Sequence, residues 1–309
     1  MKVTVTGGAG YVGSSVVSLL LSAGHRVTVL DPLEGGSLRT MAGQSRLKHL
    51  RSYLGDADAV HTSLEDADAV VHLAAIVPGT DYKPPAKLID AVNFKATCAL
   101  TDACQEQGVN RFVFSSTCGS YGLSQTSNCV KEGDPLNPIN SYAQSKANAE
   151  EYILDHVGEH FHPTVFRLAT EFGVSTSMSF KPLLNSFVKD AFQKKQLLIY
   201  GPSSWRPFVH VSDVARAMQL AIEAPVEAVA GHIFNVGANE LNCQKVYLAK
   251  LLKKHFPAAD IELREDILDK NNYKVCFDKI SRVLAFYTAK TIEQGVVEMK
   301  KWLEHADEK

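Results

Sequence analysis

The chain of 309 residues is long enough for one large domain, or for a large domain that carries a smaller one. Its 45% hydrophobic and 21% charged residues are ordinary values for a globular protein and argue against extended disorder. The net charge of −2 offers no basic surplus for nucleic acid or an anionic membrane, and no apolar run is long enough to cross a bilayer.

Along the chain, apolar runs of strand type alternate with longer stretches of helical period. We expect strands at Lys2–Thr6, Arg26–Leu30, Ala69–Leu73, Arg111–Ser115 and Thr164–Leu168, and one further strand that ends at Leu54. We expect helices between them at Tyr11–Ala23, Pro85–Gln107 and Ser141–Val157. This alternation predicts an α/β fold, a doubly wound parallel sheet of the Rossmann type with helices on both faces.

The rhythm changes after Leu168, where loop-rich sequence with one helix at Leu183–Lys194 replaces the regular alternation. Phe208–Glu223 has the pattern of a strand and a helix that rejoin the large domain. We therefore predict two lobes, both discontinuous in sequence. The large domain takes residues 1–169 and 207–230, and a smaller C-terminal lobe, which would bind the substrate, takes residues 170–206 and 231–309.

The six cysteines form no CxxC pair and no regular spacing. We therefore expect reduced thiols in a cytoplasmic protein, with neither disulfide bonds nor a metal site. The N-terminus fits this compartment, because the chain begins directly with a strand rather than with the charged and apolar regions of a signal peptide.

Three glycines, Gly7, Gly10 and Gly13, have the spacing GxxGxxG between the first strand and the first helix. Glycines permit a tight turn and a close backbone approach, so a pyrophosphate can bind amides at the helix N-terminus. Asp31 closes the second strand about twenty residues later, where a carboxylate can bind the ribose hydroxyls of an adenosine. The turn predicts a dinucleotide site, and Asp31 favours NAD over NADP because it would repel a 2′-phosphate.

Tyr142 and Lys146 have the spacing YxxxK within a predicted helix, which places both side chains on one face. We expect the ammonium of Lys146 to lower the pKa of Tyr142 toward neutrality, which would make the phenol a usable proton carrier. Upstream, the strand that begins at Arg111 runs into small hydroxyl residues such as Thr117, at the strand end where parallel sheets bind ligands. A hydroxyl, a tyrosine and a lysine that follow a dinucleotide turn predict an oxidoreductase site.

These features together resemble the extended short-chain dehydrogenase/reductases, and among them the NAD-dependent epimerase/dehydratase group, which modifies nucleotide sugars. The resemblance covers nearly the whole chain and depends on a series of motifs in a specific order. The motifs are TGGAGYVG (6–13), HLAA (72–75), SSTCGSYG (115–122), PxxxYAxSK (138–146), RPFVHVSDVARA (206–217) and FNVG (234–237).

The resemblance implies a role for each matching position. It implies contacts with NAD at Gly7, Gly10, Tyr11, Val12, Asp31, Asp56, Leu73, Ala74, Ala75, Ser115, Tyr142 and Lys146. It implies catalysis by Thr117, which would hydrogen-bond the reacting sugar oxygen, by Tyr142 as acid and base, and by Lys146 as its electrostatic partner. The residues that would contact a nucleotide-diphosphate sugar are Thr117, Cys118, Thr170, Arg206 as a phosphate clamp, and Lys270 (or Lys274) as a second basic ligand.

The residues after Thr117 distinguish between the reactions of the group. Its 4,6-dehydratases and decarboxylases are similar in carrying an acidic residue there, whereas this chain has Cys118 and Gly119. We therefore expect epimerisation at C4 through a transient 4-keto sugar. The alternative is an NAD(P)H-dependent reductase of a nucleotide-linked 4-keto sugar, and a third possibility is a non-catalytic dinucleotide-binding regulator.

Three further expectations follow from the same resemblance. Cys118 is considered as a base for epimerisation next to a ketone, although a buried space-filler is the preferred interpretation. Thr170 stands where galactose-type epimerases often carry an asparagine, which points to a less common sugar. Relatives of this type pair as homodimers through a four-helix bundle that includes the Tyr–Lys helix, and we expect the same here.

Overall fold

A parallel sheet of seven strands dominates the computed structural model, which describes residues 1–34, 38, 43–79, 82–123, 129–266, 269 and 271–307. In spatial order its strands are β10 (Ile233–Val236), β6 (His162–Leu168), β5 (Arg111–Thr117), β4 (Ala69–His72), β1 (Lys2–Thr6), β2 (Arg26–Leu30) and β3 (Leu47–Leu50). The chain order reverses between β1 and β4. In doubly wound sheets ligands bind beyond the C-terminal ends of the strands at such a reversal.

Helices cover both faces of this sheet, and further helices form the body of the smaller lobe. Numbered along the chain, they are α1 (Tyr11–Ser22), α2 (Ala57–Leu64), α3 (Ala86–Ile89, continued by the π-helical turn Asp90–Lys95 into Ala96–Glu106), α4 (Ser141–Asp155), α5 (Leu183–Gln193), α6 (Val211–Glu223), α7 (Val226–Val229), α8 (Lys245–His255), α9 (Asp278–Leu284) and α10 (Ile292–Asp307). Among the described residues, no helix is long and apolar enough to cross a membrane.

The inner strands of the large sheet are buried on both sides, which explains their nearly continuous apolar sequence. All four residues of β4 are buried, for example. On one face, Val17 of α1 and Met218 of α6 lie in one core cluster with Val5 of β1. On the other face, Leu100 of α3 and Ile153 of α4 lie in a cluster with strand residues. The predicted doubly wound fold is confirmed.

The smaller lobe contains two short sheets. One is β11 (Asn242–Gln244), β9 (Trp205–His210) and β7 (Thr170–Phe172) in that order, and the other pairs β12 (Asp260–Arg264) with β8 (Gln196–Tyr200). Their shared core contains Phe172, Phe208 and Leu252, together with Leu184 of α5 and Met299 of α10. The helices α5, α8 and α10 thus form the body of this lobe.

Two elements lie elsewhere than the sequence predicts. The strand at Phe208 does not rejoin the large sheet, because β9 pairs with β7 and β11, whereas the helix that follows it does pack on α1. The strand that completes the large sheet is Ile233–Val236, which pairs with β6. The sequence predicts this strand in the smaller lobe, and that prediction is wrong. The other lobe boundaries stay a prediction.

The strand expected to end at Leu54 instead ends at Leu50. A turn follows it at once, since the Ser52 amide donates to the Leu50 carbonyl at 3.1 Å. Asp56 then caps α2.

Candidate active site

The glycine turn lies where β1 passes into α1, and two of its glycines have no space for a side chain. Gly7 has a φ of +72°, and a Cβ there would lie 2.7 Å from the Ala74 amide nitrogen. A Cβ on Gly13 would lie 2.0 Å from the Gly7 carbonyl oxygen. Gly10 is the N-cap of α1, so no described side chain caps the first turn, and the amides there can accept an anion.

Tyr11 and Val12 follow the turn and differ in their surroundings. The Tyr11 hydroxyl donates to the Gly173 carbonyl at 2.7 Å and accepts from the Asn185 amide at 3.0 Å, which ties the start of α1 to the smaller lobe. Val12 is half-buried and packs against the large core. Tyr11 therefore fixes the turn relative to the segment after β7.

Asp31 and Asp56, the two acids expected at the adenosine, differ in burial and in hydrogen bonding. The Asp31 carboxylate is buried and accepts from the amides of Ala9 at 3.0 Å and Leu33 at 2.8 Å. Burial raises its pKa. Asp56 is exposed and caps α2, and its pKa is lowered chiefly by the hydroxyl of Ser52, which donates at 2.6 Å. Asp31 thus holds the glycine turn directly.

The loop Leu73–Ala75 (Leu73, Ala74 and Ala75) lies against the glycine turn at the end of β4. Its first two amides donate to the carbonyl of Thr6 at 3.1 Å and to the Thr6 hydroxyl at 3.3 Å. The buried Asn93, in the π-helical turn of α3, exchanges two hydrogen bonds with the backbone of Ile76, at 2.7 and 2.9 Å. The loop is therefore held at both ends.

Lys146 is buried against the end of β5. Its Nζ donates to the Ser115 carbonyl at 2.7 Å and lies 4.6 Å from the centre of the Phe114 ring. Burial lowers its pKa to about 8. Thr117, the last residue of β5, accepts a hydrogen bond from the Gly119 amide at 3.0 Å. The predicted lysine and hydroxyl thus share the C-terminal end of one strand.

Tyr142 stands one turn before Lys146 on α4, whose N-cap Asn140 accepts from the Ala143 amide at 2.8 Å. The ring is half-buried, and its hydroxyl makes no hydrogen bond among the described residues. Its pKa is raised, first by burial and then by the charge of Glu171. The expectation that Lys146 lowers this pKa is therefore wrong for the protein alone, because burial and a carboxylate oppose ionisation of the phenol.

Glu171 is a site residue that the sequence analysis missed. It lies on β7, and the next residue on that strand, Phe172, is buried in the core of the smaller lobe, so Glu171 faces the opposite side. Its charge acts on Tyr11, Tyr142 and Lys146 alike, and burial raises its own pKa. The sequence carried one signal, a lone acid within an apolar segment.

Cys118 follows Thr117 but lies in the core. Its thiol is buried and donates to the Arg167 carbonyl at 3.2 Å, and burial raises its pKa well above the ordinary value. This placement supports the space-filling interpretation. Thr170, at the start of β7, is half-buried and pairs with Phe208.

A buried ion pair braces α4 against the sheet. The Arg167 guanidinium of β6 donates to Glu150 of α4, with Nη2 and Oε2 at 2.7 Å. Glu150 also accepts from the Ser116 hydroxyl, and Arg167 donates to the Tyr121 hydroxyl at 2.9 Å. The helix that carries Tyr142 is thereby fixed to both β5 and β6.

Arg206 lies in a second group of charges, which we call the basic cluster (Arg206, Lys245 and Asp269). Arg206 donates to Asp269 at 2.6 Å, and Lys245, which the sequence analysis did not single out, binds the same carboxylate. Lys270 lies outside the described residues, and Lys274 rests on the Trp205 ring at 3.9 Å.

Tyr273 connects the basic cluster with the end of β5. Its hydroxyl lies 4.0 Å from where a Cβ on Gly119 would be, and the Arg206 guanidinium carbon lies 5.8 Å from its ring centre. Tyr273 therefore lies between the basic cluster and the C-terminal end of β5, and we call the region that these groups border the cleft.

Comparison with known proteins identifies a family and similar sequences and structures. Residues 3–237 match the NAD dependent epimerase/dehydratase family. A UDP-glucose 4-epimerase of Lacticaseibacillus casei is 31% identical and matches 77% of this chain and 76% of its own length. A dTDP-glucose 4,6-dehydratase of Actinoplanes is 28% identical over 98% and 97% of the two chains. The solved dTDP-glucose 4,6-dehydratase DesIV of Streptomyces venezuelae, with NAD bound, superposes with a TM-score of 0.86 at 26% identity, covering 99% of this chain and 97% of its own.

Proposed function

The chain belongs to the NAD-dependent epimerase/dehydratase family, and on that premise we propose that it is a nucleotide-sugar epimerase that inverts C4 through a transient 4-keto sugar. The observation that carries the proposal is the Tyr142 hydroxyl, which makes no hydrogen bond among the described residues and lies one helical turn from a lysine anchored to the end of β5. The segment after Thr117 supplies Cys118 and Gly119, so it offers no acid for elimination or decarboxylation.

The residues of the turn fit NAD. The cradle formed by Gly7 and Gly13 leaves the first amides of α1 open to a pyrophosphate. Asp31 and Asp56 would bind the adenosine, and Leu73–Ala75 would line the nicotinamide, with Lys146 and the Ser115 backbone at its ribose. When bound, NAD would accept hydride from C4 and return it to the opposite face of the ketone.

The protein's own groups handle the proton. The hydroxyl of Thr117 would hydrogen-bond the oxygen on C4, and Tyr142 would take the proton from that oxygen. The ammonium of Lys146 would stabilise the phenolate of Tyr142 before this transfer, and the neutral phenol would hold the proton while the 4-keto sugar turns over within the cleft. Tyr142 would then return the same proton to the oxygen after reduction from the other side, so no external acid or base is consumed.

The substrate would be a nucleotide-diphosphate sugar that lies between Tyr142 and the basic cluster. Arg206 is suited to the diphosphate, since a guanidinium presents a planar fork of donors to phosphate oxygens. Thr170 begins β7 and pairs with Phe208, two residues after Arg206 on β9, so it would contact the same region. A threonine at this position favours a sugar other than the usual hexoses of galactose-type epimerases.

Assembly and compartment are further proposals. A homodimer formed through α3 and α4 is supported by their side-by-side packing and by the 42% exposure of Leu88 on α3. All six cysteines are free thiols, which suits a reducing cytoplasm.

The test is to incubate the purified protein with UDP- and dTDP-hexoses, in D2O, and to follow the sugars by NMR and the reduced nicotinamide by its absorbance. We expect C4 inversion without net NADH and without deuterium at C3, C4 or C5, because the hydride returns to the carbon that it left. Consumption of added NADH by a keto sugar would instead indicate the reductase, and deuterium next to the ketone would indicate a base that attacks carbon.

A further inference from the structure

The basic cluster has an unusual composition, in that two cations share one carboxylate. Arg206 Nη2 lies 2.6 Å from Oδ2 of Asp269, and Lys245 Nζ binds the same oxygen while also donating to the Tyr200 carbonyl at 2.8 Å. The other carboxylate oxygen, Oδ1, accepts from the Asn271 amide at 2.9 Å. The side chains of Arg206, Lys245 and Asp269 are only 9%, 6% and 15% exposed.

This leaves one positive charge more than the cluster can balance. Two cations against one carboxylate give a net charge of +1 in a largely buried place, where unbalanced charge is costly. Burial, followed by the nearby Arg206, lowers the pKa of Lys245, which reflects the same repulsion. The cluster therefore favours an anion that carries more charge than Asp269 does.

Its position in the cleft indicates which anion. Among the described residues, Tyr273 is the side chain that links Arg206 with the segment Thr117–Gly119. A sugar ring with its C4 oxygen at Tyr142 would thus place its diphosphate at the cluster. A diphosphate brings two negative charges and several oxygens, enough to engage a guanidinium and an ammonium together.

We propose that Asp269 is an internal counter-ion that the substrate's diphosphate displaces, and that Lys245 is the second phosphate-binding cation. The inference rests on the proposed function and assigns these two residues at its substrate site. With no diphosphate bound, Asp269 holds Arg206 and Lys245 together against their repulsion. The cations are thus positioned in advance, but the diphosphate must compete with a carboxylate already in place.

The experiment measures binding of UDP, dTDP, GDP and ADP, with uridine as the phosphate-free probe, by calorimetry on the NAD-loaded protein. Asp269→Asn should tighten the favoured nucleoside diphosphate by about tenfold, because the competing charge is gone, and Asp269→Glu should return the affinity toward the wild-type value. Lys245→Met should weaken it by about tenfold or more. Lys250→Met, an exposed lysine on the same helix, is the matched control and should change nothing. Affinity for uridine should be unaffected throughout.

The outcomes separate the inference from the function beneath it. Lys245→Met leaves Arg206 and Asp269 as a balanced pair, so this variant should stay folded even if Asp269→Asn does not. Wild-type affinity in Lys245→Met, or a folded Asp269→Asn that binds no more tightly, would overturn the inference while the nucleotide-sugar assignment stands. A wild-type protein that binds none of the four diphosphates would overturn both.

Discussion

The C-terminal end of β5 and the basic cluster are two halves of one cleft that are built in opposite ways. At β5, Lys146 reaches a neutral carbonyl 31 residues away, on an adjacent regular element of the same core. In the basic cluster, Arg206 is held by the carboxylate of Asp269, 63 residues away and outside the helices and strands. Under the proposed function, the first arrangement fixes the groups that transfer the proton. The second holds its charges with a partner that another anion can replace.

The largest effect should come from Tyr142→Phe, which removes the proton carrier and leaves the ring. We expect turnover to fall by about 10³-fold, while NAD affinity changes by no more than about twofold. Turnover is measured on the sugar nucleotide and NAD affinity by calorimetry. Tyr287→Phe, at an exposed tyrosine, is the control. Equal turnover in Tyr142→Phe would contradict the proposal that the β5 half of the cleft carries the proton while the basic cluster binds the diphosphate.

The brace behind α4 tests whether the β5 half is rigid. Glu150→Gln leaves the buried Arg167 guanidinium without its counter-charge, and breaking a buried pair of this kind costs about 3 kcal/mol. Urea unfolding should show this loss, whereas Glu151→Gln, at the exposed neighbour, should unfold like the wild type. A loss below about 0.5 kcal/mol would mean that the brace does not hold the helix.

The sequence predicted the β5 half well because its determinants are local. The glycine turn with its flanking strands β1 and β2, and the YxxxK helix between β5 and β6, each follow directly from period and spacing, since each lies within one βαβ unit. Predicting the basic cluster would have required long-range contacts that sequence spacing does not encode. Lys245 begins a helix, and nothing in the local sequence identifies Asp269 as its partner. The four-residue strand at Ile233 was likewise too short for its pattern to show which sheet it joins.

The charge of Glu171 acts on Tyr142 and Lys146 of the β5 half and also on Tyr273, which borders the basic cluster. We therefore expect Glu171 to set the pH dependence of turnover. Its carboxylate raises the pKa of Tyr142 and also that of Lys146, whose net value is about 8. In Glu171→Gln both pKa values should fall. Tyr142 then releases its proton at lower pH, and Lys146 loses its charge at lower pH, so both limbs of the rate profile should move in the acid direction.

The measurement is turnover against pH for Glu171→Gln beside Glu240→Gln, an exposed glutamate outside the cleft. The other titratable groups that interact with Lys146, namely Glu150 and His72, are unchanged in both variants. A profile that keeps its limbs, or moves only in height, would show that Glu171 affects structure rather than the titration of the pair.

The smallest effect on turnover is expected at Cys118, because its thiol lies in the core rather than at the proposed sugar site. Since its thiol is buried against the Arg167 carbonyl, Cys118→Ala should cost about 1 kcal/mol of unfolding free energy through lost packing. Turnover should stay within about twofold of the wild type, because no step of 4-epimerisation needs a thiolate. Cys104→Ala, at a buried cysteine on α3, should behave alike in both assays. A tenfold loss of turnover confined to Cys118→Ala would give the β5 half a second base and would turn C4 inversion into chemistry at the carbon beside the ketone.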